Sequence, residues 1–261
     1  MRKKFIAGNW KMFKGPEGTS EFISRFVDEL LISKNVTKAI DEKKLEIAIF
    51  PPSISITRAI ELKTNAPILI GAQNMYWQEN GAFTGEISAS MLKEVGCTHI
   101  IIGHSERRNI FLETNDIINK KLTAAVNAGL VSVLCVGELL DDRKSANTFS
   151  VIKKQLLDAL KGINPQIISD KIIIAYEPVW AIGTGITANN IDAQEVCSYI
   201  RNLISEAFGE KIANKLIVLY GGSVKPNNTA SFLIENDIDG VLVGGASLEI
   251  DSFMNIIKAA L

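Results

Sequence analysis

The amino-acid sequence predicts an α/β protein, a single-domain (β/α)8 barrel with eight parallel strands that spans residues 1–261. Eight short apolar blocks recur along the chain, and an amphipathic stretch follows each of them. Dividing 261 residues by eight gives about 33 per unit, close to the ~30 of a βαβ element. No linker, charge block or low-complexity run divides the chain. An open, doubly wound sheet is the alternative, and eight regular units without a second domain favour the closed barrel.

The predicted strands are short blocks that are rich in β-branched residues and apolar at consecutive positions. Strands that are covered on both faces have this pattern, and such strands are usually parallel. We predict strands at residues 5–7, 46–50, 68–72, 99–103, 131–135, 172–177, 216–220 and 240–243.

The predicted helices have apolar side chains at helical spacing, and the clearest stop signal is Ala128-Gly129. Glycine ends a helix well because it accepts the left-handed conformation there. A weaker helix is predicted at 53–60, and the mostly polar segment 35–45 is predicted to be a surface loop. The stronger helices are predicted at residues 18–32, 87–95, 115–128, 149–160, 188–208, 227–235 and 252–260.

Composition excludes several classes of function. The net charge is 28 − 29 = −1, which gives no overall attraction to nucleic acid or to an anionic membrane. No apolar run approaches the ~18 residues of a membrane-spanning helix. The three cysteines are widely spaced, so a disulfide framework or zinc cage is not expected, and a reducing cytoplasmic location fits. With two histidines in the chain, a three-histidine metal site cannot form, and we predict no metal and no cofactor.

Polar side chains follow several of the predicted strands at their carboxyl ends. Asn9 and Lys11 follow the first strand, His104 and Glu106 the fourth, and Glu177 ends the sixth. In a β/α barrel these ends meet on one rim, where the chemistry is placed. Each residue alone has an ordinary structural explanation, but their joint occurrence at matching strand ends predicts an active site. The other histidine, at the start of the fourth strand, is predicted to face the opposite rim.

Glycine-bearing loops follow the last two strands, as Gly221-Gly222-Ser223 and Gly244-Gly245. Backbone N–H groups bind a phosphate dianion well, and glycine lets the backbone approach closely, so these loops predict a phosphorylated small molecule as the ligand. Residues 183–188 match the GxGxxA dinucleotide pattern, but they begin six residues after the strand, which disfavours nucleotide binding. Residues 178–185, apolar between possible hinges, have the composition of a lid.

Five segments, in order and over essentially the whole chain, resemble the triosephosphate isomerase family. They are Asn9-Trp10-Lys11-Met12, Gly103-His104-Ser105-Glu106-Arg107-Arg108, residues 175–185 (AYEPVWAIGTG), Tyr220-Gly221-Gly222-Ser223, and residues 240–248 (GVLVGGASL). The resemblance implies a TIM barrel and an isomerase of glycolysis and gluconeogenesis. Such an enzyme interconverts dihydroxyacetone phosphate and D-glyceraldehyde 3-phosphate by proton transfer through an enediolate.

The resemblance also implies a role for each matching residue. Glu177 corresponds to the general base, His104 to the electrophile that polarises the carbonyl, and Lys11 to a cation near the enediolate and phosphate. Asn9 lies beside that lysine, and Glu106 corresponds to its carboxylate partner. The implied phosphate donors are Gly183, Ser223, Gly244 and Gly245. Ile186 stands where the family commonly has lysine in the C-terminal lid hinge, which leaves the hinge kinetics open.

The family usually forms homodimers, and residues 73–86 resemble the loop that each subunit inserts into its partner. The resemblance would place Thr84 near the partner's Lys11. Two other hypotheses remain open on the sequence: another aldose–ketose isomerase that acts on a larger sugar phosphate, and a barrel that binds phosphate ligands without turnover.

Overall fold

A computed structural model describes residues 2–182 and 188–261, and in it eight parallel strands close into a barrel in the order β1 to β8. The strands are β1 Lys4–Asn9, β2 Leu45–Phe50, β3 Leu69–Ala72, β4 His99–Ile102, β5 Val131–Val136, β6 Ile172–Tyr176, β7 Ile217–Tyr220 and β8 Gly240–Val243. The predicted closed barrel is confirmed, and the open sheet is wrong.

Helices follow the strands and surround the barrel. They are α1 Pro16–Ile32, α2 Lys34–Asp41, α3 Ile56–Lys63, α4 Ala89–Glu94, α5 Ser105–Asn109, α6 Asn115–Asn127, α7 Leu140–Lys144, α8 Thr148–Leu160, α9 Pro165–Lys171, α10 Asn190–Phe208, α11 Glu210–Lys215, α12 Thr229–Leu233 and α13 Ile250–Lys258. No helix in residues 2–182 and 188–261 is long and apolar enough to cross a membrane.

The barrel closes because the first strand pairs with both the second and the last. Along β1, Lys4 lies opposite Leu45 of β2, while Phe5 lies opposite Gly240 of β8. All these pairings are parallel, so the carboxyl ends of the strands come together at one rim. The loops that follow β1, β4, β6, β7 and β8 therefore meet around one opening.

Alternation along each strand divides the apolar side chains between two cores. In β1, Ile6 packs with helix residues such as Phe26, whereas Phe5 and Ala7 pack with residues of the other strands. Because both faces are buried, the strands read as continuous apolar runs, which explains the sequence pattern. The inner core is made of Phe5, Ala7, Ala48, Phe50, Ile101, Val133, Cys135, Ile173, Ala175, Ile217, Leu219 and Leu242.

Local signals at helix ends agree with several predicted boundaries. Thr114 caps α6, its hydroxyl accepting from the Ile117 amide at 3.3 Å, and Gly129 follows the end of this helix with φ +82°. Asn189 caps α10 by accepting from the Asp192 amide at 2.7 Å. The stop at Ala128-Gly129 is confirmed.

The predicted surface loop at 35–45 is wrong, since α2 occupies Lys34–Asp41 and β2 begins at Leu45. Val36 is fully buried, and Ala39 and Ile40 pack beside it at helical spacing. A single turn of apolar contacts is enough to pack α2 on the core, because the rest of the helix faces water. The short helices α5, α7, α9 and α11 were not predicted either, because five to seven residues are too few for a periodic pattern.

His99 lies at the start of β4, at the end of the barrel opposite the candidate site, as predicted. Its ring packs against Phe5 with centroids 5.5 Å apart, and Nδ1 is 2.8 Å from the Thr98 hydroxyl. Burial, and then the charges of Lys3 and Lys171, lower the pKa of His99 to about 3. The neighbouring cavity at this end is also lined by the charged side chains of Glu46, Asp170 and Lys215.

Candidate active site

A cavity of about 300 Å³ opens at the carboxyl ends of the strands. It is lined by Asn9, Lys11, His104 and Glu177, and by the loop residues 221–225 and 244–246. Asn9 and Glu177 are 168 positions apart in the sequence (177 − 9). The fold brings both side chains to this one opening. The predicted convergence of these strand ends is confirmed, whereas Gly183 and Ile186 lie outside the described residues.

Lys11 has a left-handed backbone with φ +51°, which is unusual for a residue other than glycine. Two side chains hold it: the Asn9 Oδ1 accepts from the Lys11 amide at 3.0 Å, and Gln73 Nε2 donates to the Lys11 carbonyl at 2.8 Å. Gln73 Nε2 also donates to the Phe50 carbonyl at 2.8 Å, which ties the loop after β1 to the end of β2. The Lys11 ammonium then pairs with Glu106 Oε1 at 2.6 Å.

His104 caps the N-terminus of α5. Its Nδ1 accepts from the Glu106 amide at 3.2 Å, so this nitrogen carries no proton and the neutral ring carries its proton on Nε2. The Glu106 carboxylate is farther from Nδ1, at 3.7 Å. His104 is buried and lines the cavity, and its Nε2 is 3.1 Å from Glu177 Oε1. The neutral imidazole therefore has its Nε2–H within hydrogen-bond distance of Glu177 Oε1, and both residues line the cavity.

Glu177 follows β6 directly and is 2% exposed. Its Oε2 accepts from the Ser105 amide at 2.8 Å, and its Oε1 lies beside His104. An ionised carboxylate that is this deeply buried needs such donors. The Glu177 amide donates to the Val136 carbonyl at 2.8 Å, so the residue continues the pairing of β5 with β6.

Two glycines leave room for Glu177. A Cβ on Gly137 would lie 1.7 Å from the Glu177 carbonyl oxygen, and one on Gly221 would lie 3.0 Å from Glu177 Cγ. Contacts under 3.0 Å are essentially never seen for real Cβ atoms, so position 137 admits no side chain without backbone movement. Gly137 therefore leaves room for the backbone of Glu177, and Gly221 leaves room for its side chain.

The glycine loops after β7 and β8 line the same cavity. Ser223 lies in the first loop, and Gly244 and Gly245 lie in the second. A Cβ on Gly244 would be 3.5 Å from Lys11 Cε, so the backbone of this loop passes close to the lysine side chain. A short 3₁₀ turn, Gly245–Ser247, follows, and the Ser247 hydroxyl donates to the Gly244 carbonyl at 2.7 Å.

A buried carboxylate holds the start of the predicted lid. Trp180 Nε1 donates to Glu138 Oε1 at 2.8 Å, and the Tyr176 hydroxyl donates to the same oxygen at 3.1 Å. Burial raises the pKa of Glu138, although these hydrogen bonds and Arg143 oppose that effect. The Arg143 guanidinium also stacks over the Trp180 ring at 4.7 Å. Of the predicted lid, residues 178–182 are described and 183–185 are not.

Sequence reasoning missed three contributors to this site: the Ser105 amide, the Gln73 side chain as a support for Lys11, and Glu138. Ser105 stands beside His104, so its position in the loop after β4 was a usable signal. Gln73 follows β3 directly and Glu138 lies two residues after β5, so both stand at strand ends, but nothing in the sequence indicates the distant residues with which they form hydrogen bonds. Within residues 2–182 and 188–261, no three His, Cys, Asp or Glu side chains are grouped to hold a metal ion.

A closed barrel that collects a carboxylate, a neutral imidazole and an ammonium in one cavity defines an enzyme built for acid–base chemistry. The model of the family described as "Triosephosphate isomerase" matches residues 4–260. The chain belongs to the triosephosphate isomerase family.

Relatives of the same name cover the chain from end to end. The triosephosphate isomerase of Dictyoglomus thermophilum is 49% identical over 259 residues, which are 99% of this chain and all of the relative. That of Caldanaerobacter subterraneus subsp. tengcongensis is 47% identical over 258 residues, again 99% of this chain and 100% of the relative. That of Carboxydothermus hydrogenoformans is 45% identical over 261 residues, 100% of both chains.

Proposed function

We propose that this protein interconverts dihydroxyacetone phosphate and D-glyceraldehyde 3-phosphate in glycolysis and gluconeogenesis, in the cytoplasm, with residues 1–261 as one catalytic domain. One observation carries the proposal. Glu177 and His104, 3.1 Å apart, share a cavity with Lys11 and with the glycine loops after β7 and β8. Family membership supports the same reaction.

Glu177 acts as the general base in this proposal. Its carboxylate takes a proton from the carbon next to the carbonyl, and the electron pair of that C–H bond forms the enediolate. The hydroxyl proton then moves from one enediolate oxygen to the other with the help of His104, and the same carboxyl group returns its proton to the neighbouring carbon, which gives the isomer. General-base assistance typically contributes about 10²–10⁴-fold in rate. The Ser105 amide supports this role because it holds the carboxylate at the cavity wall, where Gly221 leaves room for the side chain.

His104 and Lys11 act on the oxygens. Negative charge grows on the carbonyl oxygen as the proton leaves, and preplaced donors stabilise it by several kcal/mol. The Nε2–H of His104 is such a donor, and a neutral imidazole held by a helix N-terminus is the established arrangement in triosephosphate isomerases. Lys11 adds a positive charge, with Asn9 fixing its backbone and Glu106 its ammonium.

The phosphate end of the substrate is assigned to Ser223, Gly244 and Gly245, together with Gly183. The first three line the cavity next to Lys11, and glycine backbone lets N–H groups approach an anion closely. Residues 178–185 are assigned the lid, an established feature of this family. Closure protects the reaction because an enediolate phosphate loses phosphate in water.

Two rival functions are less well supported. A larger sugar phosphate as substrate is disfavoured because a 300 Å³ cavity lies at the small end of ligand pockets. A barrel that binds phosphate ligands without turnover is disfavoured because Glu177, His104 and Lys11 all line the cavity. A panel of triose and pentose phosphates, with proton exchange against solvent measured for each, separates the three functions.

The central test is a coupled assay with glyceraldehyde 3-phosphate on the purified protein and on Glu177→Gln. Removing the base should lower kcat by at least about 10²–10⁴-fold, while inorganic phosphate still binds and the fold is kept. The matched control is Glu94→Gln, an exposed residue of α4 that should keep full activity. Full turnover by Glu177→Gln would refute the role of the base.

We further propose a homodimer in which residues 73–86 enter the partner. Gln73 ties this loop to the loop after β1, where Met12 is 93% exposed and Phe13 is 56% exposed. Phe83, near the other end of the loop, is also exposed, and its ring packs at a tilt against Tyr76 with the centroids 4.6 Å apart. Exposed apolar side chains on these two loops are what an interaction surface requires. Sedimentation should give twice the chain mass, and Met12→Glu with Phe83→Glu should give monomer; a monomeric wild type would refute the dimer.

A further inference from the structure

Lys225 has no role in the functional assignments above, yet it lines the cavity in the loop after β7. Asn228 anchors this loop from both sides, since its Oδ1 accepts from the Lys225 amide at 2.7 Å and its Nδ2 donates to the Ser223 carbonyl at 3.1 Å. The Lys225 carbonyl accepts from the Thr229 hydroxyl at 2.7 Å. The backbone of Lys225 is therefore fixed two residues from Ser223, while its side chain is exposed.

The charges around the cavity explain why a second cation matters there. Among the described residues that line it, Lys11 and Lys225 carry positive charge and Glu177 carries negative charge. Glu106, bound to Lys11 at 2.6 Å, adds another negative charge. The net charge of these groups is 2 − 2 = 0 with Lys225 and 1 − 2 = −1 without it.

This balance is important because the substrate is itself an anion. A phosphate monoester carries about −1.5 to −2 charges at neutral pH. The base has to be ionised to take a proton, so its repulsion of the substrate cannot be removed by protonation. Lys11 is already paired with Glu106, whereas Lys225 makes no ion pair in the part of the chain that the structure describes.

We propose that the Lys225 ammonium captures the phosphate dianion of the substrate at the mouth of the cavity and raises the rate of binding, not the rate of proton transfer. This inference rests on the proposed isomerase function and deepens it. Charges lining a cleft raise association rates by about 10–10³-fold in all, and the effect falls steeply with salt. When arrival of substrate limits kcat/KM, as in the fastest enzymes, that constant reports association.

The test measures kcat and kcat/KM for glyceraldehyde 3-phosphate in the wild type, Lys225→Met and Lys225→Glu. Ionic strengths of about 0.01 M and about 1 M are compared, where the screening lengths are about 30 Å and about 3 Å. At low salt we expect kcat/KM to fall about threefold in Lys225→Met and about tenfold in Lys225→Glu, with kcat within about twofold of wild type. At high salt the three proteins should converge.

Lys258→Glu is the matched control, because it makes the same charge change on an exposed residue of α13 that does not line the cavity. Turnover of glyceraldehyde, which lacks the phosphate, should be the same in all variants. Equal effects of Lys225→Glu and Lys258→Glu, a loss that persists at high salt, or a loss in kcat would each overturn the proposal. A wild type that does not isomerise triose phosphates would instead overturn the proposed function.

Discussion

Gly221→Ala should disturb the reaction while leaving the fold intact. The added methyl group would lie 3.0 Å from Glu177 Cγ and 3.3 Å from the Tyr176 carbonyl oxygen. Ordinary contact begins at 3.4 Å, so the Glu177 side chain must move by about 3.4 − 3.0 = 0.4 Å. The Gly221 amide donates to the Tyr176 carbonyl at 2.7 Å, which holds the backbone and leaves the carboxylate side chain to move.

The size of the effect follows from the sensitivity of catalysis to placement. A misplacement of about 1 Å costs about 10²-fold in rate. When the logarithm of the rate falls in proportion to the displacement, 0.4 Å lowers the rate roughly sixfold. That factor is about 1 kcal/mol of activation free energy. We therefore expect kcat for glyceraldehyde 3-phosphate to fall about fivefold to tenfold, with KM changed by less than about twofold.

The assay pairs this variant with Gly15→Ala. Gly15 has an ordinary φ of −63°, and a Cβ there meets no atom within 4 Å, so this control should keep wild-type kcat. Thermal unfolding of both variants shows whether the fold is kept. A Gly221→Ala enzyme with wild-type kcat would refute the link between this contact and the position of the base, as would a loss of activity matched by loss of folded protein.

Two further predictions concern the supports of the barrel. Gln73→Leu removes the donor to the carbonyls of Lys11 and Phe50, so we expect a loss of about 1–3 kcal/mol in the free energy of unfolding, measured by denaturant titration, and a lower kcat/KM; unchanged stability would contradict this. His99 has a pKa depressed to about 3, so the unfolded state binds its proton first, and stability is lost as pH falls from about 6.5 towards 3. Between pH 7.5 and pH 4.5 this loss should be about 3 kcal/mol, which His99→Phe should largely abolish; an equally steep fall in that variant would refute the assignment.

The fold was predictable because strands that are buried on both faces appear in the sequence as continuous apolar runs. Eight such runs were enough to favour the closed barrel, and the interior residues Val133 and Cys135 came from one of them. The helix α2 was not predicted within 35–45 because Val36, Ala39 and Ile40 are its only apolar residues that pack on the core. One turn of apolar spacing in a polar stretch does not distinguish a helix from a loop.

The site was predictable where a residue lies within two positions of a strand's carboxyl end, as Glu177 follows β6 directly and His104 lies two residues after β4. The geometry of the barrel alone predicts that such residues lie together, and the conformations of the loops need not be known. The supporting contacts were not predictable in the same way. Gln73 reaches back 62 positions to Lys11 and Glu138 accepts from Trp180 42 positions ahead, and such pairings depend on loop conformations that no local pattern encodes.

The pairing of β1 with β8 has a consequence for biosynthesis. Asn9 and Lys11 are synthesised more than 230 residues before Gly244 and Gly245 (244 − 11 = 233). A nascent chain that lacks the final strand has exposed hydrogen-bonding edges on β1 and β7 and an incomplete wall around the pocket. A truncated chain that lacks the final strand should therefore have no partial activity. Until that strand closes the barrel, the residues of the site are not held around one pocket.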